Sequence, residues 1–103
     1  MTEMSSQAVR LSQTSIDTLT ALSRKYFGDN APLRLFGSRL NDQARGGDID
    51  LQIIAPHATF EDELAFLAEI DQQLDERVDL RVQRNEKLLI DEIAQNQGVL
   101  LNG

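Results

Sequence analysis

Asp48 and Asp50 flank a single isoleucine in the run Asp48-Ile49-Asp50-Leu51, nine residues beyond Phe36-Gly37-Ser38. Alternation along a strand turns Asp48, Asp50 and Gln52 to one face and Ile49, Leu51 and Ile53 to the other. Two carboxylates at i and i+2 can share a hard divalent cation such as Mg²⁺. Gly37 has no Cβ to keep a ligand away from the backbone. Ser38 adds a hydroxyl and an N-cap, so a short helix over residues 39–43 would aim N–H groups at an anion. A phosphate-holding turn with a two-carboxylate metal clamp is equipment for nucleotide chemistry.

These residues need a scaffold, and the chain spells one out. A helix is expected from Thr14 to Phe27, with Ile16, Leu19, Leu22 and Tyr26 spaced close to a helical turn. Gly28-Asp29-Asn30 breaks it, and Leu33-Arg34-Leu35-Phe36 follows as a short buried strand ending at Gly37. The second strand spans residues 48–54 and stops before Pro56. Thr59 with Asp62 three residues on forms a capping-box pattern, opening a helix whose apolar stripe is Phe60, Leu64, Leu67, Ile70 and Leu74. Val78-Asp79-Leu80-Arg81-Val82 reads as a third strand. Asn85 is expected to cap a last helix through Leu88, Leu89 and Ile93, ending near Gly98, with Val99-Leu100-Leu101 as an apolar tail. The pattern predicts an α/β (α+β) fold, a small mixed β-sheet with helices packed on one face. Residues 1–13 are expected to be flexible and residues 14–103 to form one domain.

The motif resembles that of the nucleotidyltransferase superfamily that includes DNA polymerase β and the aminoglycoside nucleotidyltransferases. Family members carry an apolar residue, Gly, then Gly or Ser, a spacer, and Asp-apolar-Asp/Glu-apolar, with a third carboxylate on a neighbouring strand. Phe36, Gly37, Ser38, Asp48, Ile49, Asp50, Leu51 and Asp79 supply those positions. With Gly-Ser-Arg in so short a chain, the sequence most resembles the minimal nucleotidyltransferases, commonly antitoxins of modules whose toxin is a HEPN-domain ribonuclease.

That resemblance implies a nucleotidyltransferase (polymerase β-like) minimal fold and a Mg²⁺-dependent enzyme moving NMP, AMP from ATP, to a tyrosine of a HEPN-type toxin. It implies catalytic and metal-binding roles for Asp48, Asp50 and Asp79, and nucleotide binding by Gly37, Ser38 and Arg39. Arg45 and Arg81 are further candidates for triphosphate charge. Two Mg²⁺ ions about 3.5–4 Å apart would stabilise the attacking and leaving oxygens. The face bearing the carboxylates has little in the chain to cover it, so a partner subunit, in a hetero-oligomer with the toxin, is expected to complete it. The alternative is a non-catalytic antitoxin acting by binding alone. A small-molecule transferase is disfavoured for want of a second domain to wall a substrate pocket.

Composition fits this reading. At 103 residues there is room for one modest core, and 41% hydrophobic residues argue against disorder. Seventeen acids against ten bases, eight of them Arg, give a charge of −7. Such a surface repels a phosphate backbone, so direct nucleic-acid binding is not expected. No cysteine is present, no apolar run approaches a membrane span, and a cytoplasmic location is expected. Plainer readings stand beside each motif: a solvated edge strand for Asp48 and Asp50, a surface pair with Arg77 or Arg81 for Asp79, an exposed helix residue for Arg39. Asp is disfavoured in strands, which favours the site for the first pair. Gly46-Gly47-Asp48 lacks the continuation of a cyclase signature, and Ile53 stands where a calcium loop needs Gly. His57 and Tyr26 are read as a loop residue and a half-buried helix residue.

Overall fold

The computed structural model describes residues 11–37 and 49–102. Its elements run α1 (Gln13–Phe27), β1 (Leu33–Phe36), β2 (Ile49–Ile54), α2 (Phe60–Gln73), β3 (Val78–Gln83), α3 (Leu89–Gln97) and β4 (Val99–Leu100). Four strands form one mixed sheet in the order β3-β2-β1-β4. β1 lies antiparallel to both β2 and β4, while β2 and β3 run parallel, joined through α2. The mixed α/β architecture is the one the sequence predicts.

Local chemistry sets the helix starts. The Ser12 hydroxyl accepts the Ser15 N–H at 3.1 Å to open α1. At α2 the capping box is complete, the Thr59 hydroxyl accepting the Asp62 N–H and the Asp62 carboxylate accepting the Thr59 N–H, each at 3.0 Å. The last helix departs from expectation. Asn85 does not cap it; α3 begins at Leu89, where the Asp91 carboxylate accepts the Leu88 N–H at 2.8 Å. A carboxylate inside the first turn does the work assigned to a residue before it.

One face of the sheet carries the core. Leu33, Leu35, Ile49, Leu51 and Ile53 are fully buried there against Leu19 and Leu22 of α1 and Phe66 and Ile70 of α2. Phe27 and Phe66 meet edge to face with ring centroids 5.1 Å apart. The stripe predicted for α2 is rotated. Phe66, absent from it, is fully buried, while Phe60 and Leu64 are 66% and 49% exposed. At about 3.6 residues per turn, Phe66 and Leu74 flank Ile70, and Phe60 and Leu64 swing to the rim.

The opposite face is partly covered as well. α3 crosses it, attached through Asp91 to Gln52 of β2 and Arg81 of β3, so among the described helices α1 and α2 share the core face. Residues 99–101 are not a loose tail. Val99 and Leu100 extend the sheet along β1, the Leu101 N–H donates to the Leu33 carbonyl at 2.8 Å, and Asn102 clamps the Leu33 N–H and the Ala31 carbonyl. The added strand covers an edge that would otherwise stay open.

Candidate active site

Asp50 and Asp79 are brought side by side by the pairing of β2 with β3. The parallel register sets Asp50 opposite Asp79 and Gln52 opposite Arg81. Neighbouring strands lie about 4.8 Å apart, so two carboxylates on one face at the same rung can reach a common cation. Like charges directly opposed weaken a sheet. A sequence that places them so is using them for something other than pairing.

Gly37 completes this corner. Its φ is +83°, a conformation that suits glycine, and a Cβ built there would collide with the Asp50 carboxylate, coming within 3.1 Å of its Cγ. The missing side chain is thus the space that the Asp50 head group occupies. Phe36 faces Asp50 across the β1–β2 pairing. With Asp79, Arg81 and Ile90 of α3 they line a cleft of about 310 Å³ on the face away from the main core.

The cleft has a rigid shoulder. The buried Asp91 carboxylate receives a forked pair from Arg81, Nε at 3.1 Å and Nη2 at 2.9 Å, and a 3.1 Å bond from the Gln52 amide. Arg81 above all, then the Leu88 N–H and the Gln52 amide, lowers the Asp91 pKa to about 2 against the opposing effect of burial. Arg81 is therefore paired with Asp91 rather than with Asp79. Sequence reasoning missed Asp91 and Gln52. The available signal was that Gln52 and Arg81 each follow an aspartate by two residues, on strands that pair.

Of the other expected site residues, Ser38, Arg39 and Asp48 lie outside the described residues, as do Arg45 and the helix expected over 39–43. Among the described residues no three His, Cys, Asp or Glu side chains gather to hold a metal. Asp50 and Asp79 are the two described members of the expected triad, and their hard oxygen donors suit Mg²⁺. A second hollow, about 420 Å³, lies at the other end of β2 between Tyr26, Asn30, Pro56 and His57, with no carboxylates paired across strands. Tyr26 is turned to α2, its hydroxyl donating to Glu69 at 2.5 Å. Among the described residues no helix is long and apolar enough to cross a membrane.

A mixed sheet with aspartates in register on parallel strands, beside a glycine turn, is the scaffold of a nucleotidyl-transferring protein. The chain belongs to the polymerase β nucleotidyltransferase family, whose model, described as "Polymerase beta, Nucleotidyltransferase", matches residues 25–103. Comparison with curated proteins gives no significant match. Several solved structures share the fold, two of them toxin–antitoxin pairs. One is a mutant of the toxin–antitoxin pair MntA–HpeT, with a TM-score of 0.69 and 22% identity, covering 84% of this chain and 70% of that one. The other is the tri-AMPylated Shewanella oneidensis HEPN toxin in complex with MNT antitoxin, again with a TM-score of 0.69 and 22% identity, covering 86% of this chain and 70% of that one.

Proposed function

We propose that this protein is a minimal nucleotidyltransferase antitoxin that transfers AMP from ATP to a tyrosine of a partner HEPN-type ribonuclease and thereby silences it. The observation that carries the reading is the Asp50–Asp79 register beside Gly37. The family and the fold shared with a complex of AMPylated HEPN toxin and MNT antitoxin support it.

In this reading Asp48, Asp50 and Asp79 hold Mg²⁺, and the Gly37 N–H, the Ser38 hydroxyl and Arg39 hold the triphosphate. Bound Mg²⁺ would supply charge stabilisation to the attacking and leaving oxygens. The tyrosine oxygen forms a bond to the α-phosphorus as the bond to pyrophosphate breaks. Its proton passes to Asp79 and on to solvent, and pyrophosphate carries away the electron pair. The buried Asp91–Arg81–Gln52 cluster keeps β2 and β3 in register, which fixes the two aspartates relative to each other.

The test is label transfer from ATP radiolabelled at the α-phosphate, with Mg²⁺ and a purified HEPN-type ribonuclease from the same organism. Wild type should label the ribonuclease on tyrosine and abolish its RNA cleavage, and Asp48→Asn should do neither. Neutralisation that survives in Asp48→Asn without label would replace this reading by antitoxin action through binding alone.

A further inference from the structure

We infer that the outer face of α3 is the docking surface for the protein acceptor, whose contact patch is apolar and bordered by basic side chains. This rests on the proposed transfer to a protein and adds where that protein sits. Large apolar side chains on α3 are left in water: Leu89 is 74% exposed, and Ile90 and Ile93 are each 39% exposed. Leu88, just before the helix, and Leu100, on the same sheet face through its pairing with Arg34, are exposed too. A nine-residue helix that presents leucine and isoleucine outward while tethering itself inward through a buried Asp91 is held for its outer surface.

The place of that surface names the occupant. Ile90 belongs both to the exposed patch and to the wall of the cleft that holds Asp50 and Asp79. A macromolecule that lowers a side chain into the cleft must therefore rest on α3. A small acceptor would have no use for Leu89 or Ile93, which lie outside the cleft lining. Charge fixes the rest of the partner's chemistry. Among the described residues Glu86, just before α3, and Glu92, on it, are exposed beside the one lysine there, Lys87, in a chain of net charge −7. An apolar centre with an acidic rim fits an apolar patch edged by Arg or Lys.

The experiment uses the full chain with Leu89→Asp and Ile93→Asp, singly and together. Leu89 is largely exposed, so folding is expected to persist, and Tm and ATP affinity in the presence of Mg²⁺ are measured as controls. Glu61→Lys, at an exposed position of α2, is the comparison variant. The Kd for the purified HEPN-type ribonuclease should rise at least about tenfold in the double variant, as for loss of a central apolar contact. KM for that acceptor should rise in parallel, with kcat at saturation and ATP affinity unchanged. An unchanged Kd, or an equal change in Glu61→Lys, overturns the docking surface. If wild type transfers no AMP but still binds the ribonuclease, the Kd comparison alone decides the surface while the transfer reading fails separately. Should wild type neither bind nor label the ribonuclease, and label a small molecule instead, both are overturned.

Discussion

Asp50 on β2 and Asp79 on β3 occupy the same rung of a parallel strand pair, and the Asp50 head group fills the space that a side chain at position 37 would take. Two strands separated by a whole helix thus place their carboxylates together, and a turn glycine leaves room for one of them.

Replacing either carboxylate should remove transfer while sparing the fold. Asp50→Asn and Asp79→Asn are each expected to lower the transfer rate at least about a hundredfold, more than loss of an outer-shell partner of a metal ligand. Asp79 is exposed, so Asp79→Asn should leave Tm close to wild type. Chelation by EDTA should reproduce the loss and added Mg²⁺ reverse it. Label transfer and thermal melts on the same preparations check all of this.

Gly37→Ala should damage both stability and function. The new Cβ meets the Asp50 carboxylate, and φ of +83° is strained for any L side chain. A cost of about 1–3 kcal/mol is expected, read by urea unfolding. Transfer should fall further than stability accounts for, because Asp50 must move. Gly28→Ala serves as a control. It too has positive φ, but a Cβ there meets nothing within 4 Å, so its effect should be on stability alone.

Acid should weaken the protein partly through Asp91. Its pKa is lowered from 3.8 to about 2, so the unfolded chain takes up this proton first as the pH falls. The stabilisation is fully present above the unfolded value, shrinks below about pH 4, and is gone below about pH 2. Its size is on the order of 2 kcal/mol. Unfolding free energies measured between pH 7 and acid should fall less steeply in Asp91→Asn than in wild type. That variant should also be less stable at neutral pH, since Arg81 loses its forked partner.

Two phenylalanines on α2 should behave oppositely. Phe66 is fully buried and packs on Phe27, so Phe66→Ala should cost about 3–5 kcal/mol in urea or thermal unfolding. Phe60 is 66% exposed, and Phe60→Ala should stay within about 0.5 kcal/mol of wild type. A larger cost for Phe60→Ala than for Phe66→Ala would mean that α2 sits in the rotation its apolar stripe first suggests.

The amino-acid sequence by itself determined the elements whose signals are local. Alternation in residues 49–54 and 78–82, the Thr59–Asp62 capping box, the breaking Gly28 and the order of helices and strands all act over a few residues. They sufficed to specify the mixed sheet and to point at Gly37 and Asp50, while Asp79 was singled out by the family resemblance. Tertiary structure decided what depends on distant partners. It chose Phe66 over Phe60 for the core, because the rotation of α2 is set by the sheet beneath it. It started α3 at Leu89 rather than near Asn85, because Asp91 is anchored to Arg81 and Gln52 from two other strands. It turned residues 99–100 into an edge strand, because β1 had an open side to pair. Above all it set the Asp50–Asp79 register. Each strand shows its own alternation in sequence, but which rungs face each other is fixed only when β2 and β3 pack against the same helices.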